Sequence, residues 1–441
     1  MRICLVLLML LFVAQAALAV PYKAGVGVVD ITPDFPVRLS GYLSRKTEAT
    51  EVQQHLFAKA LALKAERGAT ALLITVDNCG IPRYMTDEVA ARLRASHGIL
   101  PERIAINASH THSAPALTNV IPNLFGRPIP PEHQANIDRY TGFLTDAIYE
   151  AARLALEDLQ PATLHFGIGT AGFATNRRTQ GGPVDHDLPV LCVKGLDGTP
   201  RTIVAGYACH CTTLSGAPLN GDWAGYAQEA LQDRYPGAVG MIAVGCGGDQ
   251  NPMPRGTVAH AQTYGAAIAD GVQPVIDSGL RPITAPLDAV ANPITLAFDT
   301  LPTRAELEER AKELTPKGYH ARVQLAKLDR GQALATEIPY VVQAWNFGDE
   351  LAMVFLPGEV VVDYALRFKG TYDRKRMWVC AYTNDAPCYI PSARILAEGG
   401  YEGGEAMIYY DQPTRFAGDV EDRIVAAVEA VVPSWFRGPG K

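Results

Sequence analysis

A chain of 441 residues with 48% hydrophobic and 19% charged positions has a globular balance, which excludes a fibrous or largely disordered protein. Its formal net charge of -7 argues against a nucleic-acid partner and against simple electrostatic docking on anionic lipid. A small molecule or a lipid is left as the class of substrate.

Residues 1–19 read as an export signal. Arg2 opens the segment, an apolar run from Cys4 to Ala14 follows, and Ala17-Leu18-Ala19 supplies a small-x-small cleavage site before Val20. The protein is therefore expected to be secreted or periplasmic. The apolar run is short for a membrane span, and no later stretch reaches the required length of about 18 residues. The remainder, 20–441, is read as a single domain.

Along that domain the patterning predicts a strand at 71–76, a helix at 85–96, a strand at 103–108 and a long helix at 137–159. Strands at 163–168, 189–193 and 202–208 lead to a helix at 223–235, a strand at 239–244 and helices at 259–278 and 304–314. Strands at 340–347, 351–355 and 377–381 and a helix at 420–431 complete the series. This interleaving predicts an α/β fold, a mixed β-sheet core flanked by helices. The Pro- and Ala-rich stretch 283–300 reads as an insertion or subdomain edge, and no internal repeat is visible.

The residues that suggest chemistry fall just after strands, where α/β sheets open their crevices. Ser109-His110-Thr111-His112-Ser113 follows the strand at 103–108. Alternate side chains of an extended segment share a face, so His110 and His112 are expected to point into one cavity. Neutral imidazole is the commonest protein ligand for a transition metal. The plainer alternative is a hydrogen-bonded core histidine beside a surface one. His210, after the strand at 202–208, could be a third nitrogen ligand, and Asp222 reads as an N-cap of the next helix. In Gly245-Cys246-Gly247-Gly248-Asp249-Gln250-Asn251 the glycines allow close backbone approach to a ligand or simply a tight turn. Glu359 follows Pro357-Gly358 at a strand end and could favour the N-terminus of a helix, and Tyr389 alone would be packing.

Of eight cysteines, Cys4 would leave with the signal, so an odd number remains. Cys380 and Cys388 are spaced for a small disulfide-closed loop, which an exporting compartment would permit. Cys79, Cys192 and Cys246 read as small buried hydrophobes.

The combination resembles the neutral, non-lysosomal ceramidase family, zinc-dependent amidases that split ceramide into sphingosine and fatty acid. The resemblance runs in order from Gly25-Val26-Gly27-Val28-Val29-Asp30-Ile31-Thr32-Pro33 through Ser109-His110-Thr111-His112-Ser113, Asn176-Arg177 and His210-Cys211-Thr212. It continues through Gly221-Asp222-Trp223-Ala224-Gly225, Gly248-Asp249, Pro357-Gly358-Glu359 and Tyr401-Glu402-Gly403. It implies that His110, His210, Glu359 and Tyr389 hold zinc, which activates a water. It also implies that His112 and Arg177 lie beside the metal and contact the scissile carbonyl or the departing carboxylate. Only the charge of the metal makes a phenolate at Tyr389 plausible, since a free phenol has a pKa of about 10. A ceramide-like lipid substrate would imply peripheral contact with membrane lipid.

Two departures stand out. Where the family carries a serine regarded as important for activity, this chain has Asn251, which can donate a hydrogen bond to an oxyanion but cannot be the same nucleophile. The family commonly adds a C-terminal β-sandwich domain, and here none is expected after the helix at 420–431. Beside the ceramidase-like reading stand a zinc hydrolase of the same core acting on a non-ceramide ester or amide, and a non-catalytic zinc-containing binding protein. A thiol mechanism through Cys246 is a further alternative. The lining of the cavity around His110 discriminates: a deep apolar channel suits a long acyl chain, a shallow polar basin another substrate.

Overall fold

In the computed structural model residues 22–66 and 68–438 are described, so the export signal expected at 1–19 lies outside them. Strands β1 (Tyr22–Asp30), β2 (Phe57–Ala65) and β3 (Thr70–Val76) form an antiparallel ladder. Helix α1 (Arg83–His97) then carries the chain to β4 (Ile104–Ala108), which lies parallel to β3, as a parallel pair requires a crossover. After α2 (Pro131–Glu157) the scheme returns. Strand β5 (Gln160–Thr170) is followed by the short β6 (Ala174–Asn176), then β7 (Asp187–Lys194) and β8 (Pro200–Tyr207), with β5, β7 and β8 antiparallel. Helix α3 (Asp222–Arg234) leads to β9 (Val239–Val244), parallel to β8. The order across the sheet is β4-β3-β2-β1-β5-β7-β8-β9. The pairing pattern occurs twice although the residues do not repeat, which is why no repeat is visible in the sequence.

Strand β10 (Gln250–Pro252) pairs with β6, and after α4 (Val258–Pro274) β11 (Arg281–Ile283) joins β5. The two outer strands of the large sheet meet at their ends. The buried side chain of Asn107 on β4 accepts from Val244 N–H of β9 (2.8 Å) and donates to Val244 O (3.3 Å) and Ala381 O (2.7 Å). Both histidine-bearing loops leave the sheet near this junction.

A second sheet follows. Strand β12 (Leu287–Ala297), helices α5 (Arg304–Arg310) and α6 (Pro316–Asp329), and strands β13 (Glu337–Phe347) and β14 (Leu351–Phe355) precede β15 (Glu359–Val360) and α7 (Val362–Thr371). Then come β16 (Met377–Cys380), β17 (Tyr389–Ile390), α8 (Ala393–Glu398), α9 (Gly400–Gly403) and α10 (Val420–Val431). The order β12-β13-β14-β16 is antiparallel except for the parallel pair β14/β16. Trp345, Phe347, Met353, Phe355 and Trp378 of this sheet form one core with Leu61, Leu73, Phe166, Val204 and Met241 of the first. Helix α2 covers the opposite face of the first sheet through Ile137, Leu144 and Ile148, and α10 packs on β12 and β13. The mixed sheet flanked by helices is thus present, with a second sheet between the helical layers.

Close approach explains the opening motif. A Cβ on Gly25 would lie 2.2 Å from Ala155 O and one on Gly27 2.1 Å from Ala151 O, so α2 can seat on β1 only with glycine at both positions. These glycines also hide β1 from period counting, and β2, buried along nearly its whole length, shows no alternation. The stretch expected as an insertion edge, 283–300, is instead mostly β12, an outer strand that tolerates Pro293 because its N–H side needs no partner there. Cys380 and Cys388 are both buried and unpaired, as are all seven cysteines among the described residues, so the expected disulfide loop is absent.

Candidate metal centre

Strand β4 ends at Ala108, and His110 takes a left-handed conformation (φ 59°), its N–H donating to Asn78 O at 2.9 Å. Such a backbone is uncommon for a residue with a side chain, and it turns the chain inward. The two Nε2 atoms of His110 and His112 lie 3.1 Å apart. They share a cavity as expected, but through this turn and not through strand alternation.

His210 follows β8, its N–H donating to Gln250 O (2.9 Å) and its carbonyl accepting from the Trp223 indole (2.9 Å). Asp222 does not act as the N-cap: Gly221 holds that place, and the buried Asp222 carboxylate accepts from the N–H groups of Thr213 (3.1 Å) and Leu214 (2.8 Å). It therefore holds the loop that carries His210. Glu359 and Tyr389 are direct partners in the parallel β15/β17 pair. Glu359 does not serve a helix terminus; its Oε2 faces the histidines and its Oε1 accepts from the Tyr410 hydroxyl. Arg177 follows β6, anchored by its N–H to Asp249 O (2.9 Å).

The lone pairs at the centre decide what the cluster can bind. His110 Nδ1 lies 2.5 Å from Cys79 O and His210 Nδ1 2.6 Å from Gly247 O. A carbonyl only accepts, so each Nδ1 carries the ring proton and each Nε2 presents a lone pair. Glu359 Oε2 stands 3.1 Å from His110 Nε2 and 3.0 Å from His210 Nε2, and the Tyr389 hydroxyl 3.2 Å from His210 Nε2. The His110, His210 and Glu359 donor atoms all lie within 4.8 Å of one another and are buried. Converging acceptors shielded from water require a cation. Without a metal, the cations at hand are a proton and the neighbouring Arg177 guanidinium. Burial opposes a charge on His110, yet Glu359 holds its pKa well above the usual imidazole range. Burial likewise opposes the Glu359 carboxylate, and His110 more than offsets it, holding that pKa well below the ordinary value. Burial, with Arg177 beside it, lowers His210 to about 4. The site fits a metal ion with nitrogen and oxygen ligands.

Arg177 donates to Tyr389 (3.0 Å), to Glu402 Oε1 (2.6 Å) and toward His210 Nε2 (3.3 Å). Burial raises the Tyr389 phenol pKa well above its free value while Arg177 acts against it, so a phenolate there needs a further cation. Burial, with the neighbouring charge of His110, pushes His112 well below the imidazole range, so it is neutral. Gly41 (φ 86°) packs on the His112 ring, where a Cβ would come within 2.4 Å of Cγ. Tyr42 meets the same ring edge-on at 4.9 Å, and Arg45 reaches under it to the carbonyls of Ser40 and His112.

Asn251, 9% exposed, accepts at Oδ1 from the Thr212 hydroxyl (3.4 Å) and its amide nitrogen donates to no described protein group. It faces the same basin as Arg177, His112 and Tyr389, a cavity of about 630 Å³. The basin is open, and its lining mixes charged and polar groups with tyrosine rings. Cys246 is fully buried, and burial drives its thiol pKa well up, which leaves the thiol alternative without a thiolate. Asp249 accepts from Val362 N–H (2.8 Å) and Asn176 (3.0 Å) and thereby positions the segment before Asn251.

Several site residues had no separate signal in the sequence. Tyr382 stacks on His110 at 4.6 Å, and Tyr410 reaches Glu359 from a distant turn. Glu402 could have been found in Tyr401-Glu402-Gly403, since a carboxylate beside a candidate arginine asks for a partner.

The same architecture occurs in ceramidases of known structure. A structure described as ceramidase complexed with C2 aligns over 93% of this chain and 76% of its own, with a TM-score of 0.72 and 17% identity. Neutral ceramidase from Pseudomonas aeruginosa aligns over 94% and 75%, with a TM-score of 0.70 and 19% identity. In sequence, neutral ceramidase B of Dictyostelium discoideum is 24% identical over 263 residues, which are 53% of this chain. The match spans only 36% of that relative's length. The fold is therefore that of the ceramidases. Residues 22–239 match the family described as neutral/alkaline non-lysosomal ceramidase, N-terminal.

Proposed function

We propose that this chain is a zinc-dependent amidohydrolase of ceramidase type that splits the N-acyl amide of ceramide or a related N-acyl compound. The observation that carries the reading is the convergence of His110 Nε2, His210 Nε2 and Glu359 Oε2, with their protons directed away to backbone carbonyls. His110, His210, Glu359 and Tyr389 would hold the ion. Bound zinc supplies Lewis acidity and makes water acidic enough to attack near neutral pH.

The chain's own groups then have definite tasks. Arg177, charged and fixed by Glu402, donates toward the place where charge develops on the acyl oxygen. Neutral His112 offers a ring N–H or lone pair at the same wall, and Asn251 presents its unpartnered amide N–H groups to the basin. In the balanced reaction water oxygen bonds to the carbonyl carbon, the C–N bond breaks, and the nitrogen leaves with a proton as the amine. Export, secreted or periplasmic, belongs to the proposal on the strength of Arg2 to Ala19. A second reading, a non-ceramide ester or amide as substrate, is favoured by the lack of aliphatic side chains among the described residues that line the basin.

Elemental analysis after dialysis tests the metal. Near-stoichiometric zinc is expected, falling sharply in His110→Ala and His210→Ala together with turnover of a short-chain ceramide or N-acyl amide. Zinc retained in full by both variants refutes the assignment.

A further inference from the structure

A long acyl chain gains from a site only if apolar walls remove it from water. This basin offers none of aliphatic type. Its walls include Arg177, Arg178 and Arg255 and the rings of Tyr42, Tyr389 and Tyr401, and among the described residues no Leu, Ile, Val, Met or Phe side chain lines it.

The charges there do not balance. Glu402 is shared by Arg177 (2.6 Å) and Arg178 (2.6 Å), and Glu398 by Arg178 (3.1 Å) and Arg394 (2.9 Å). Both carboxylates of the lining are thus committed. Arg255 makes no ion pair or side-chain hydrogen bond among the described residues, and it sits on a molecule of net charge -7. A lone exposed arginine would mean little on a free loop, but this one is held. Met253 N–H donates to Phe173 O (3.2 Å), Pro254 O accepts from the Tyr264 hydroxyl, and Gly256 N–H donates to Thr213 O (2.7 Å). The last bond ties the Arg255 turn to the loop that carries His210. Asn251, at the start of the same segment, adds an unpartnered amide N–H2.

We propose that the basin selects N-acyl compounds bearing an anionic group, carboxylate or phosphate, on the amine side of the scissile amide, with Arg255 as the residue that reads the charge. This deepens the amidohydrolase reading above and rests on it. A guanidinium with five N–H donors and no competing carboxylate suits either anion, and Asn251 supplies a second donor from the same wall.

Three matched probes test it on the zinc-loaded full chain: N-hexanoylglycine, N-hexanoyl-O-phosphoethanolamine and the neutral N-hexanoylethanolamine, with a six-carbon ceramide beside them. At least one anionic probe is expected to exceed the neutral one tenfold or more in kcat/KM, and comparison of the two identifies the anion. Arg255→Ala should collapse that ratio toward one, Arg255→Lys should restore part of it, and Arg255→Glu should invert it. Calorimetric binding of the same probes should follow the same order. A wild-type protein that cleaves the neutral probe or the ceramide as well as the anionic ones overturns this inference and leaves the amidohydrolase reading standing. A ratio unchanged in Arg255→Ala removes Arg255 from the role. If no probe is cleaved the amidohydrolase reading fails, and calorimetry still decides the rest: N-hexanoylglycine and its phosphate counterpart binding no tighter than the neutral probe overturns the anion preference.

Discussion

Replacing Arg177 with alanine separates metal binding from chemistry. The guanidinium touches Tyr389, His210 and Glu402 but supplies no ligand atom to the His110/His210/Glu359 cluster. Glu402 keeps Arg178 at 2.6 Å, so its charge is not stranded, and the loss of stability is limited to charged hydrogen bonds worth about 1.5–3 kcal/mol. The catalytic loss is larger in its consequence. Removing one preorganised donor to a developing oxyanion costs about 2.7–4 kcal/mol, or roughly a hundredfold to a thousandfold in kcat. Arg177→Lys should not rescue fully, because one ammonium cannot span Tyr389 and Glu402 in the planar fork that arginine offers. Zinc content by elemental analysis, urea midpoints and kcat on the best substrate are measured on the same preparations. Zinc near wild type with kcat reduced at least a hundredfold is expected; unchanged kcat refutes the placement of Arg177 beside the reacting oxygen.

Gly41→Ala adds a methyl within 2.4 Å of the His112 ring at a positive φ, so kcat should fall at least tenfold with zinc retained, and wild-type kcat would show that the ring has no fixed task. Asn251→Ser should change turnover of a ceramide only severalfold, since in the proposed reaction Asn251 only presents amide N–H groups and the attacking water needs no protein nucleophile; a gain of a hundredfold or more would assign the hydroxyl an essential role. Asp187 is held below the ordinary carboxylate range: burial works against its charge, but Arg374 (2.5 Å) and Lys369 (3.0 Å) outweigh it. With the folded pKa depressed, its contribution is complete above the unfolded value of about 3.9 and is lost as pH falls through the folded value. Urea midpoints of wild type and Asp187→Asn should therefore differ at pH 7 and converge below about pH 4; a gap that widens in acid contradicts the sign.

The sequence alone determined the α/β class, because strands such as 239–244 and 351–355 are short apolar runs whose observed bounds coincide with those expected. It also pointed to both histidine loops and to Glu359 and Tyr389, since family motifs in register carry residue identity over large chain distances. Local pattern could not supply the second sheet's place against the first, for β12 reads as a Pro-rich edge and the glycines of β1 interrupt any count. The site is legible as a set of residues and illegible as a geometry. That Glu359 stands beside Tyr389 is a fact of pairing between β15 and β17, that His110 meets His112 depends on one left-handed residue, and that Tyr410 reaches Glu359 depends on a turn far along the chain. The unpaired charge of Arg255 likewise emerges only after every other arginine of the basin has found its carboxylate. Periodicity reports which face of an element is buried; convergence of lone pairs and the balance of charge in a cavity are properties of several segments at once, and they exist only when the chain has folded.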